Sequence, residues 1–123
     1  MKIYETPLAI ELNGTDLIVN NKENECSIRK LQAMSEVLMD PVFGKTEDEF
    51  NAYYMYRSVY QKNDMRFDIT LLPSRLIGKE YTKTYGHYHP KPEHQDLAYP
   101  EVYQVLKGEA AFVLQNKTKG GGV

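Results

Sequence analysis

The apolar positions of the chain fall into short runs, and their spacing changes character once. Residues 8–12 and 15–19 are two brief apolar-rich runs on either side of Asn13-Gly14. Asn-Gly supplies the two positive-φ residues of a tight turn, so this pattern predicts a β-hairpin. Further on, Ile28, Leu31, Met34, Val37 and Leu38 recur at helical spacing. That stripe predicts one amphipathic helix over 27–40, lying on the outside of the sheet that follows. Pro41 ends it, because the residue before a proline avoids the α region.

Thr46-Glu47-Asp48-Glu49 has the form of a capping box, with Thr46 as N-cap and Glu49 reaching back. It predicts a short helical turn ahead of the tyrosine-rich run 53–60, whose aromatics and β-formers read as a strand. Lys62-Asn63-Asp64 marks a turn, and 65–72 alternates as the returning strand. Pro73-Ser74 and Ile77-Gly78 interrupt the pattern. Residues 80–85 then lead into Gly86-His87-Tyr88-His89-Pro90, 101–106 form a further strand, and Gly108 turns the chain into 110–115. The organisation predicted is one mainly β domain over 1–123. Its parts are an N-terminal hairpin and helix (1–50), a partial β-barrel (51–116) and an irregular tail (117–123). Six or seven short strands do not close a two-sheet barrel, and the last is left as an open apolar edge. Such an edge fits a truncated or frameshifted product, or a half-barrel that a partner completes.

Composition narrows the class. A chain of 123 residues supports one core. The formal net charge is −2 and the basic residues are scattered, so no phosphate-tracking surface and no nucleic-acid partner are expected. Cys26 is the single cysteine, read as structural or incidental; with no intramolecular disulfide possible, a reducing cytoplasm fits best. The segment Met1 to Pro7 lacks the apolar core of a signal peptide, and no apolar run approaches the ~20 residues of a membrane span. Ten tyrosines and no tryptophan are distinctive, since tyrosine lines a polar cavity with ring contact and a hydroxyl together.

The candidate chemistry concentrates at His87 and His89. Side chains at i and i+2 of an extended segment point to the same face. A carboxylate brought in by the next strand, Glu101 after Pro100, completes two nitrogens and one oxygen on one side. That donor set suits a divalent first-row metal with positions left open for substrate or water. Tyr103, two residues after Glu101, falls on the same face. His94 lies in the polar stretch 91–96 and reads as solvated loop.

Thr84-Tyr85-Gly86-His87-Tyr88-His89, Pro100-Glu101-Val102-Tyr103-Gln104-Val105-Leu106-Lys107-Gly108 and Phe112-Val113-Leu114-Gln115 together resemble the first cupin motif. More narrowly they are similar to the cupin-type glucose-6-phosphate isomerases found mainly in archaea. The resemblance extends upstream to the segment Ser27 to Met34 and to Phe67-Asp68-Ile69-Thr70. It implies a cupin jelly-roll barrel, here incomplete at the C-terminus, and interconversion of glucose 6-phosphate and fructose 6-phosphate in glycolysis and gluconeogenesis. By the same resemblance His87, His89 and Glu101 hold an iron, manganese or zinc ion, and Glu101 is catalytic. Thr70, Thr84, Gly86 and Tyr103, with Tyr56, are placed at the sugar phosphate, and the protein is expected to be a homodimer. A fourth ligand, a histidine from the second cupin motif, has no counterpart. The alternative readings are therefore a non-catalytic cupin that binds sugars and an inactive isomerase fragment. Whether hydrogen moves as a proton or a hydride stays open.

Overall fold

The computed structural model describes residues 1–41, 50–87 and 89–115, and the chain divides into two compact units, Met1–Tyr85 and Gly86–Val123. The sheets described in the first unit are all antiparallel. Its opening sheet is a meander of β1 (Lys2–Tyr4), β2 (Ile10–Asn13), β3 (Asp16–Val19) and β4 (Lys22–Asn24), in that order. The predicted hairpin is present, with Ile10 opposite Val19 and Asn13 opposite Asp16. Its turn is Gly14-Thr15 rather than Asn13-Gly14. Only Gly14 has a positive φ, +62°, which is the type II′ pattern with glycine first. Asn13 stays in the strand, where its Oδ1 accepts from the Met1 amino group at 2.8 Å. The following turn was not singled out from sequence. Asn20 and Asn21 both take positive φ, as a type I′ turn requires, and Asn20 Oδ1 also accepts from the Ala9 N–H at 2.9 Å.

A second sheet has the order β5 (Ser27–Lys30), β6 (Asn51–Lys62) and β7 (Met65–Leu71). The last two are the strands expected from the tyrosine-rich run and its return. Between Tyr56–Ile69 and Tyr60–Phe67 the register shifts, so that three residues of β6 face one of β7. Ser58, at φ +53°, forms this bulge, and its N–H donates to Asp68 Oδ1 at 2.8 Å. Arg66 holds the other oxygen of that carboxylate at 2.7 Å.

The predicted helix over 27–40 needs correction. Ser27–Lys30 is the strand β5, with Ile28 opposite Tyr54 and Arg29 opposite Tyr53, and only Leu31–Val37 is helical, as a 3₁₀ helix. Leu31, Met34 and Val37 are spaced by three, which is the 3₁₀ period, so a short 3₁₀ segment already stacks them on one side. Leu31 and Met34 are fully buried there. No side chain caps the helix; the Leu31 N–H is taken up by the Phe50 carbonyl at 3.0 Å. Pairing with β6 outweighs the helical stripe at Ile28, which is left exposed. The helix also stops at Val37, ahead of the proline signal. Leu31, Met34, Leu38, Ala52, Tyr53 and Ile77 form a core cluster, with Val37, Phe50, Met55 and Tyr85 packed against it. The capping box at 46–49 and the tail 117–123 lie outside the described residues.

After the two-stranded ladder of β8 (Leu76–Ile77) and β9 (Glu80–Tyr81), the chain to Tyr85 belongs to no sheet. Side chains fix it instead. Glu80 accepts from the Met39 N–H and from Lys83, whose ammonium also reaches the Val37 carbonyl. Burial alone would raise the Glu80 carboxyl, but the Lys83 and Met39 hydrogen bonds and the Lys83 charge outweigh it and hold the group below its ordinary value.

The second unit departs from expectation. Among its described residues no strand forms over 101–106 or 110–115, and only an isolated bridge is present at Gln115. No closed barrel is present among the described residues, and the mainly β, antiparallel class holds. A strand needs a ladder partner, and alternating apolar residues that find none stay in water. Val102 and Val113 are accordingly 87% and 89% exposed.

Candidate functional site

The segment bearing the candidate ligands begins at Gly86, whose φ of +84° lies in the region that glycine enters without strain. A Cβ there would meet nothing within 4 Å, so the backbone conformation, not space, calls for glycine. Past it the His87 and His89 rings stand side by side, centroids 5.0 Å apart and planes at 36°. The i, i+2 expectation is met in this respect although the segment is not part of a sheet. Tyr88 between them lies outside the described residues.

Glu101 comes to His89. Its Oε2 is in direct contact with His89 Nε2, both side chains being partly exposed. The loop between them is closed by two backbone hydrogen bonds, Gln95 N–H to the Pro92 carbonyl at 3.2 Å and Tyr99 N–H to the Pro90 carbonyl at 3.1 Å. His94, at φ +65°, stands away on this loop beside Glu93, and both side chains are almost fully exposed, as expected of a solvated position.

Tyr103 joins the same carboxylate. Its hydroxyl is pushed up to about 12, by burial first and then by the hydrogen bond to Glu101 and that group's charge. The residue as a whole is 56% exposed, and its ring leans on Phe112 at 5.1 Å between centroids. His87, His89, Glu101 and Tyr103 thus make a chain of neighbours within one unit. They are linked as pairs. Among the described residues no three His, Cys, Asp or Glu side chains converge as a group that could hold a metal ion.

The other candidates belong to the first unit. Thr70 is exposed on β7 opposite Met55, and Thr84 is exposed in the irregular segment after β9. Tyr56 is buried, and its hydroxyl donates to the Thr15 carbonyl, tying β6 to the first hairpin. Burial foremost, with Cys26, Tyr54 and Asp16 adding, raises that hydroxyl to about 12. Cys26 itself is exposed rather than packed inside. Sequence reasoning passed over Tyr53, Glu36 and Tyr85, which meet immediately before Gly86. No local signal marks them, because their contacts span the strand, the 3₁₀ helix and the irregular segment.

A family model described as Glucose-6-phosphate isomerase (GPI) matches residues 28–123. The chain is 29% identical over 117 residues to a glucose-6-phosphate isomerase of Thermococcus litoralis, covering 91% of this chain and 58% of the relative. The corresponding protein of Pyrococcus furiosus is 30% identical over 118 residues, covering 92% and 59%. That of Thermococcus kodakarensis is 26% identical over 117 residues. The chain therefore spans somewhat under two thirds of the length of these relatives. No solved structure matches it.

Proposed function

Because the chain belongs to the glucose-6-phosphate isomerase family, we propose that it serves the interconversion of glucose 6-phosphate and fructose 6-phosphate. The observation that carries this reading is the contact of His89 with Glu101 inside the matched region, beside the second imidazole of His87. Two imidazoles and a carboxylate are the donors that iron, manganese or zinc takes in a site with open positions. His87, His89 and Glu101 would hold such an ion, and it would supply Lewis-acid polarisation of the sugar carbonyl.

The protein's own groups have the remaining work. Glu101 is a carboxylate that can take the proton from C2 of the aldose and return it to C1 through an enediol. If hydrogen instead passes from C2 to C1 as a hydride, Glu101 serves the hydroxyl proton alone. Tyr103, bonded to Glu101, keeps that carboxylate oriented toward the sugar. By the resemblance, the Thr70 and Thr84 hydroxyls and the Gly86 N–H would serve the phosphate, which neutral donors can hold without a basic cluster. Tyr56, buried with its hydroxyl on the Thr15 carbonyl, would act by holding β6 and not by direct contact with the sugar phosphate. The setting proposed is a cytoplasmic homodimer. The exposed Val102 and Val113 favour association, and no helix among the described residues is long and apolar enough to cross a membrane.

A second reading has its own observation. The candidate ligands are gathered in pairs and not as a group of three, which favours a chain that binds sugar phosphate without turning it over. A coupled assay on purified, manganese-reconstituted protein separates the two, with total metal read on the same sample. Activity lost to chelator and restored by manganese supports the isomerase, and its product made in deuterium oxide reports the path of the hydrogen. Folded, metal-loaded protein without turnover favours the binding reading.

A further inference from the structure

Among the described residues β7 pairs with β6 and with no other strand, so it is an edge of its sheet. Lys62 stands opposite Met65 across a two-residue turn, which directs the backbone groups of Met65 and Phe67 at β6. By alternation the N–H and C=O of Arg66 and Asp68 point outward, where a further strand would meet them. The side chains divide in the same way. Met65, Phe67 and Ile69 share one face, and Arg66 and Asp68 share the other. Met65 and Phe67 are 60% and 44% exposed, and with Pro7, Leu8 and Tyr60 they line an open groove of about 390 Å³.

Natural edge strands commonly carry charges of one sign, which repel a second copy. β7 instead carries one of each, and Arg66 holds Asp68 along the strand at 2.7 Å. We propose that β7 is a self-pairing edge, at which a second copy of this chain adds its own β7 antiparallel about a two-fold axis between the two Phe67 residues. In that register Arg66 lies opposite Asp68 of the partner subunit, and the reverse, so the four charges alternate in sign around the axis. The same two residues exchange the backbone hydrogen bonds that each edge leaves outward. On the other face Phe67 meets its own counterpart and Met65 meets Ile69, the apolar pairs that cross-strand packing favours. Centring the pair on Arg66 or on Asp68 would set like charges opposite each other on the axis, so one register is selected. This deepens the homodimer reading by giving it a face and an alignment, and it uses no assignment of metal or sugar.

Sedimentation of the wild type at micromolar concentration should show a dimer, and a monomer there overturns the proposal. Arg66→Glu, at an exposed position, should raise the dissociation constant at least about tenfold, because two attractive cross-strand pairs become repulsive. An unchanged constant overturns it. Phe67→Cys in a Cys26→Ser background locates the axis. Facing Cα atoms about 4.5 Å apart are within reach of a disulfide, so oxidised glutathione should give a covalent dimer. Met65→Cys in the same background should not, since its two copies lie about 13 Å apart along the strands. A wild-type dimer with no bridge at position 67 overturns the self-paired edge and leaves the homodimer reading to another surface. If Phe67→Cys does not fold, amide exchange of the wild type decides. Arg66 and Asp68 should be protected in the dimer and lose protection on dilution; fast exchange in both conditions overturns the proposal. None of these readouts depends on turnover, so an inactive enzyme leaves them standing.

Discussion

His89 Nε2 and Glu101 Oε2 are in direct contact, and the Tyr103 hydroxyl bonds to the same carboxylate. One acidic side chain therefore links an imidazole to a phenol, and the two partners respond differently to its loss.

His89 is common to both adjacent pairs, with His87 and with Glu101. Replacing His89 by Ala should lower the metal content of reconstituted protein at least about tenfold, since it removes one of the three proposed donors. Elemental analysis against the wild type reads this directly, and equal content in the two proteins would sink the site.

Tyr103 should titrate near pH 12 when followed by phenolate absorbance. In Glu101→Gln the charge is gone and the burial stays, so the transition should fall part of the way toward 10. A transition that does not move would show that Glu101 does not face the hydroxyl. Tyr103→Phe should weaken sugar-phosphate binding and leave metal content alone; if neither changes, Tyr103 only packs on Phe112.

Tyr56 should contribute to stability at alkaline pH. Its folded value is about 12 against 10 for the free side chain, so the native protein keeps a proton that the unfolded chain releases. The contribution is complete below about pH 10 and is lost as pH rises toward 12, a change of about 2–3 kcal/mol. Denaturant melts of Tyr56→Phe should show a shallower loss over that window. An identical loss in the variant would assign the alkaline slope elsewhere.

Met34→Ala should cost about 2–5 kcal/mol, because Met34 is wholly buried in the cluster around Leu31 and Tyr53. Met39→Ala, at a side chain 70% exposed, should fall within about 0.5 kcal/mol of the wild type. Similar midpoints for both in urea would mean that the 3₁₀ helix is not part of the core.

Features that depend on near neighbours were legible in the sequence. Gly14 placed the first hairpin within one residue, and the run around Tyr56 with its return through Ile69 was found as paired strands. Leu31, Met34 and Leu38 were recognised as a buried stripe, but an apolar spacing of three serves a 3₁₀ helix as well as an α-helix. Ser27 to Lys30 went wrong because β6, a distant segment, claims it as a strand. At the site, the nearness of His87 to His89 was local enough to read, and Tyr103 was expected on the same side as Glu101, though by a strand that does not form. The strands expected at Val102 and Val113 were not, since forming them depends on a partner that their own sequence does not specify.

The bulge at Ser58 bears on errors of assembly. Alternation of side chains forbids a hairpin to slide by one residue, because every inward group would turn outward. It does not forbid a slide by two, after which each residue again faces its proper side. In the β6–β7 hairpin that silent error is penalised by the Ser58 N–H, which finds its acceptor only when Asp68 stands opposite. A slipped hairpin would separate this amide from the Asp68 carboxylate, so the bond is made only in the native alignment.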